Sequence, residues 1–255
     1  MDYNSTCLTL VACLGEIEAW SSEHPDHLPI MVMIETKTQT VQEGAESIGV
    51  ELPDLGDIWA DPPEMTPELF DDLEAELLSV FDRERIITPD DVRGDRETLE
   101  DAVLLDGWPT VEESRGKVMF ALVDTGPSAD VYREGAPALE GRLAFTSSTP
   151  GEPDAAFVRV DDSLEDGEQL RKWALDGYLI RTRTDVPGVH APEDDTALRD
   201  AALESGAHFL STDYYVAHEE TGYVVELPGG VVARCNPVTA PPDCDDDRLA
   251  ESTAD

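Results

Sequence analysis

Across 255 residues the chain carries 57 Asp plus Glu against 17 Lys plus Arg, a formal net charge of -40, while 40% of its residues are hydrophobic. Such a field repels nucleic acid and anionic lipid at low salt, yet the hydrophobic share suffices for one sizeable core, so the acids read as a solvated surface. No stretch approaches the roughly 20 apolar residues of a membrane span, and a surface of this charge, screened at molar salt, points to a salt-adapted protein.

Between Thr9 and Ser22, Leu10, Val11, Cys13, Leu14, Ile17 and Trp20 recur at helical spacing, with His24-Pro25 as the stop. A strand over 30–35 follows. Residues 36–65 are rich in Gly, Pro and acids and open a long excursion that runs over 36–115. Within it Thr66-Pro67 starts a helix reaching Phe81, with Leu69, Leu73 and Leu77 as its stripe. Ile87 to Gly94 reads as a loop, followed by short helices near 99–105 and 110–114.

The run Lys117-Val118-Met119-Phe120-Ala121-Leu122-Val123-Asp124 is nearly all apolar and ends on a carboxylate, the pattern of a strand buried on both faces of a parallel sheet. After it come short strands at 143–147 and 156–160 and a helix over 163–175 capped by Ser163. A strand at 178–184, a helix from Asp195 to Glu204 ended by Gly206, and a strand at 208–213 complete the pattern. Six strands alternating with helices predict an α/β fold. Eight are needed to close a barrel, so the sheet is either open or short of two strands. Residues 1–236 read as one domain and 237–255 as a loose acidic tail.

Four cysteines fall in two close pairs, Cys7 with Cys13 and Cys235 with Cys244. Both pairs suit short disulfide loops and an oxidising compartment, with four free thiols as the alternative. The first residues, from Met1 to Cys7, lack the basic and apolar regions of a signal peptide.

Several blocks occur in order: Tyr3-Asn4-Ser5-Thr6-Cys7 with Cys13-Leu14, His27-Leu28-Pro29-Ile30, Ile87-Thr88-Pro89-Asp90-Asp91-Val92-Arg93-Gly94, Gly107-Trp108-Pro109-Thr110, Ser211-Thr212-Asp213-Tyr214 and Ala233-Arg234-Cys235-Asn236-Pro237. Together they resemble the bacterial calcium-dependent phosphoinositide-specific phospholipase C family over almost the whole chain. The resemblance implies a TIM-barrel-type phosphodiesterase, usually exported, that cleaves phosphoinositides through a cyclic inositol phosphate with Ca2+ as cofactor. It also implies two catalytic histidines in motifs that this sequence does not contain and that would lie upstream of Met1. The expectation is an N-terminally truncated barrel, lacking its first two strands and catalytic histidines, and inactive as it stands. Partners are then a phosphoinositide or similar phosphodiester and transient membrane-surface contact, with no stable protein partner.

Cleavage of this kind needs a base, an acid and positive charge on the phosphoryl oxygens. Glu35, at a strand's C-terminal end, matches the position of an acidic calcium ligand, and a hard cation takes oxygen donors; pairing with Lys37 is the bland alternative. Lys37, Arg181 and Arg183 are phosphate-binding candidates, the two arginines sharing one face of a strand. Tyr214 or Tyr215 is the candidate for stacking on the inositol ring. Asp124 and Asp213 end other strands and are weaker candidates. His24 and His27 read as surface residues at the far strand ends, where His208 also begins its strand; His190 and His218 follow strands. The competing readings are a glycerophosphodiester phosphodiesterase and a non-catalytic remnant or module binding inositol phosphate or calcium.

Overall fold

The computed structural model describes residues 6–36, 38, 40–47 and 62–250. Its elements in chain order begin with α1 (Leu10–Glu23), β1 (Ile30–Ile34), α2 (Val41–Ser47) and α3 (Pro67–Val80). A 3-10 turn at Arg83–Arg85 leads to β2 (Ile86–Ile87), α4 (Pro89–Arg93), α5 (Leu99–Leu105), α6 (Val111–Ser114), β3 (Val118–Leu122) and α7 (Pro127–Arg133). The remainder is β4 (Ala144–Thr146), β5 (Phe157–Arg159), α8 (Ser163–Asp176), β6 (Leu179–Arg183), α9 (His190–Glu193), α10 (Ala197–Glu204), β7 (Phe209–Ser211) and α11 (Asp246–Ala250).

All pairings among the described strands are parallel. β3 is central, pairing along one side with β1 and along the other with β2 at its start and β4 at its end. β5, β6 and β7 form a second ladder, joined to the first by one parallel bridge between Ser147 and Phe157. The order is therefore β1-β3-β4-β5-β6-β7, with β1 and β7 at the ends; among the described residues the sheet does not close into a barrel. The expected parallel α/β architecture is present, with β2 as a short extra strand.

β3 is buried at all five positions, as its apolar run predicts. One face of the sheet carries the helices: Phe120 meets Phe81 edge-on beyond α3, and α8 and α10 pack on β6, where Ile180 and Thr182 are fully buried. Register places Met31, Met119, Phe145, Phe157, Leu179 and Phe209 together on the other face. That face is apolar where the strands begin and charged where they end.

Three local readings are corrected. Residues 89–93 are a helical turn and not a loop, because Pro89 stands at its first turn and Thr88 and Asp91 form a reciprocal capping box. α7 falls where no element was expected, with Pro127 at its first turn. The cap of α8 is Asp162, whose carboxylate accepts from the backbone N–H groups of Leu164 and Glu165, while the Ser163 hydroxyl donates to the carbonyl of Leu198.

Both cysteine pairs are disulfides, Cys7–Cys13 and Cys235–Cys244, with Cα separations of 5.2 and 6.0 Å. The second lies in a segment tied to α10: Arg234 donates to the carbonyl of Leu203, and Asn236 Nδ2 donates to that of Gly206 at 2.8 Å. No helix among the described residues is long and apolar enough to cross a membrane.

Candidate functional site

In-register pairing of Ile34 with Leu122 brings the ends of β1 and β3 to one level, with Glu35 next to Val123 and Thr36 next to Asp124, and the charges of both Glu35 and Asp124 reach Arg159. The link is direct: the backbone N–H of Thr36 donates to Asp124 Oδ2 at 2.7 Å. Two strands away, β5 ends on Arg159, which pairs with Arg181 of β6 and therefore shares its face. Arg183 lies two residues further along that face, opposite Ser211.

These three guanidinium groups converge on one carboxylate, Asp161. Arg159 donates to it through Nε at 3.3 Å and Nη2 at 2.9 Å, Arg181 through Nη1, and Arg183 Nη2 lies 3.5 Å from it. Arg159 Nη1 also donates to the carbonyl of Val123 at 3.0 Å, reaching back to β3, and Arg181 Nε donates to Ser211 Oγ at 2.7 Å. Burial favours a neutral Asp161, but the hydrogen bonds from Arg159 and the charges of all three arginines outweigh it and hold the carboxyl below its usual range. The Arg159 guanidinium is pushed up, first by its hydrogen bonds to Asp161, with the charges of Glu35 and Asp124 adding to it. Arg181 is pulled down by burial, and repulsion from Arg183 and Arg159 adds to that.

Three guanidinium groups share the one carboxylate Asp161, a local concentration of arginine in a chain whose net charge is -40, with Glu35 and Asp124 acting on Arg159 and Asp185 and Asp213 at the adjoining cleft. A cleft of about 260 Å³ opens beside Arg181 and Arg183, bounded by Asp185, Pro187, Ser211, Thr212 and Asp213. Asp185 is buried and accepts from Thr184 Oγ1 at 2.8 Å, Thr212 Oγ1 at 2.5 Å and the Asp213 N–H at 3.1 Å. It braces the two strand-end loops that form the cleft wall. A larger cavity, about 970 Å³, lies at the strand N-termini against Arg83, Trp108 and Lys117, away from this charged end. In parallel α/β sheets ligands meet the carboxyl ends of the strands, which selects the arginine cleft.

Tyr214 packs edge-on against Tyr223 at 5.4 Å and His218 at 5.9 Å, and its hydroxyl accepts from the Gly188 N–H at 3.1 Å. Tyr215 is 79% exposed. Lys37 lies outside the described residues.

His27 is corrected from surface to core: it is buried, bonded through Nε2 to Ser21 Oγ and through Nδ1 to the Leu28 carbonyl, both at 2.5 Å. His190 Nδ1 accepts from the Val186 N–H at 3.0 Å, and His218 bonds Thr221 Oγ1. His208 directly precedes β7 at the far end of the sheet, where its Nδ1 accepts from the Ile180 N–H at 3.1 Å.

Glu35 and Asp124 offer oxygen donors that suit a hard cation, but among the described residues no group of three or more His, Cys, Asp or Glu is placed to hold a metal ion. The described residues thus fall short of a calcium site by themselves.

Arg159 and Asp161 were missed from sequence. A three-residue strand is too short for its alternation to be seen, although Arg159 and Asp161 repeat the spacing of Arg183 and Asp185.

A family model described as phosphoinositide phospholipase C, Ca2+-dependent, matches residues 1–237. The chain belongs to this family. No curated protein sequence matches it. Among solved structures, the calcium-dependent phosphatidylinositol-specific phospholipase C from Streptomyces antibioticus is 22% identical, with a TM-score of 0.57 over 84% of this chain and 73% of that one. A calcium-dependent phosphoinositol-specific phospholipase C from a Gram-negative bacterium, Pseudomonas sp., is 19% identical with a TM-score of 0.49, covering 76% of this chain and 67% of the other. The first likeness places the α/β fold of this phospholipase C family member beside that of an experimentally determined one.

Proposed function

We propose that this member of the phospholipase C family recognises the phosphodiester headgroup of phosphoinositide lipids, and that the residues present here bind that headgroup without turning it over. The carrying observation is the set of three arginines, Arg159, Arg181 and Arg183, on one sheet face at the strand ends. Arginine forks match phosphate oxygens, and such charge-assisted bonds are the strong ones. Arg181 and Arg183 grip the phosphate in the cleft, Lys37 is a further phosphate candidate by its sequence, and Tyr214 or Tyr215 meets the inositol ring, with Tyr215 the more accessible. Glu35 serves as an oxygen ligand to calcium only with donors from outside the described residues.

Cleavage through a cyclic inositol phosphate needs a base for the attacking hydroxyl and an acid for the leaving alkoxide. None of the five histidines is free for those roles at the arginine cluster. His27 and His208 are committed at the opposite strand ends, His24 bonds the Trp20 carbonyl in the same region, and His190 and His218 brace their own loops. The histidine motifs that the family resemblance implies do not occur in this sequence. The order β1-β3-β4-β5-β6-β7 suits part of a TIM-type barrel, and the two disulfides favour an exported protein.

Calorimetric titration with glycerophosphoinositol, a soluble phosphodiester, tests the reading when run beside a phosphatidylinositol cleavage assay at high salt. Binding without turnover is expected, with the double variant Arg181→Gln/Arg183→Gln losing about tenfold per guanidinium. Undiminished affinity in that variant would refute the phosphate role, and steady turnover would refute the non-catalytic part.

A further inference from the structure

Resting on the phosphodiester reading above, we infer that Arg159 supplies the positive charge separating a bound phosphate from the acid pair Glu35 and Asp124, so that the anion is held without a divalent ion. The geometry gives Arg159 two sides. Toward β3 it donates to the Val123 carbonyl at 3.0 Å, the residue before Asp124; toward β6 it meets Asp161, the carboxylate that also anchors Arg181 and Arg183.

A phosphate arriving at Arg181 and Arg183 approaches two strand-end carboxylates, and like charges a few Å apart repel strongly in a partly dry site. One route to relieve this is a cation bound by acids and waters, which the described donors do not complete. The other is a fixed guanidinium between the two, and Arg159 stands in that place with only 29% of its side chain exposed. Its link to β3 and its pairing with Asp161 hold it there before any ligand arrives, so no reorganisation is needed on binding.

The two ligands of this site then compete in opposite senses. Removing Arg159 weakens the hold on phosphate and strengthens the hold of Glu35 and Asp124 on a divalent ion. Glycerophosphoinositol is titrated into the protein with excess calcium and with chelator, and calcium alone is titrated separately. In the wild type, equal affinity with calcium and with chelator is expected. Arg159→Met should lose about tenfold in glycerophosphoinositol affinity, the worth of one charge-assisted pair, and gain affinity for calcium. Arg159→Lys, which keeps the charge but loses the fork, should fall between them on both counts and also guards against misfolding of the Met variant.

Wild-type binding that requires calcium would overturn this inference and leave the proposed function intact. Unchanged calcium affinity in Arg159→Met would also overturn it. No binding in either condition would overturn the phosphodiester reading itself, and this inference with it.

Discussion

His208 gives the chain a titration whose effect on stability is worked from its surroundings. Its backbone N–H donates to the Ile180 carbonyl at 2.8 Å, and its ring Nδ1 accepts from the Ile180 N–H at 3.1 Å, so the imidazole adds one more rung to the β6–β7 ladder. That acceptor role requires the neutral ring, and desolvation where the ring packs on the ladder lowers the pKa from 6.5 to about 4, although the residue as a whole is exposed. Because the folded value lies below the unfolded one, the unfolded chain takes up the proton first as pH falls. Stability from this group is whole above pH 6.5, declines as pH drops, and is lost below about 4. At about 1.4 kcal/mol per pH unit the gap between 6.5 and about 4 sets an upper bound; His208 is an exposed residue, so solvent screening leaves about 1 kcal/mol of it. In His208→Asn, Oδ1 replaces Nδ1 as acceptor without titrating. Urea unfolding of both proteins at high salt, from neutral pH down to about 4, should show the wild type losing about 1 kcal/mol relative to the variant. Acid effects on the many carboxylates are common to both and cancel. Curves that stay parallel over that range would refute the assignment.

Two further substitutions test the scaffold. Tyr132 is fully buried, and its hydroxyl donates to Glu74 Oε1 at 2.5 Å while accepting from the Ala144 N–H at 3.0 Å. Tyr132→Phe leaves that N–H buried without a partner and should cost about 1–3 kcal/mol by urea unfolding; a stability equal to wild type would show that the α3–α7–β4 junction does not depend on this hydroxyl. Gly177 ends α8 in the left-handed region at φ +112°, and a Cβ there would sit 2.6 Å from the Val103 carbonyl oxygen. Gly177→Ala should lower stability by about 2 kcal/mol or more and perturb Trp108, whose Nε1 donates to the Gly177 carbonyl at 2.9 Å; unchanged melting and tryptophan emission would contradict the clash.

Much of the frame was readable in the sequence because its signals are long-period or chemically unambiguous. The five-residue apolar core of β3 has no other home than a covered parallel sheet, and the α1 and α3 stripes span full helical turns. The cysteine pairs were close enough in sequence to suggest both disulfides. What escaped was set by local competition. Pro89 and Gly94 suggest a loop, yet the Thr88–Asp91 capping box folds one helical turn between them. His27 looks like a surface residue until tertiary packing brings it against Ser21, to which Arg85 also donates. At the site, Arg181 and Arg183 were found by alternation along a five-residue strand. Arg159 and Asp161 became visible only when the short β5 was paired in register with β6.

The join between the two ladders runs through the same place. β1 and β3 carry Glu35 and Asp124, while β5 and β6 carry the arginines, and the ladders meet through the single bridge at Ser147 and Phe157. From the arginine cluster, it is Arg159 that reaches across that seam, to the Val123 carbonyl. The acid pair and the arginine trio thus belong to separate ladders, tied across the seam by the Ser148 N–H to the Phe157 carbonyl as well as by Arg159. Arg159 is at once a member of the charged cluster and a stitch in the sheet, so the relative position of acids and arginines is set by the same side chain that balances their charge.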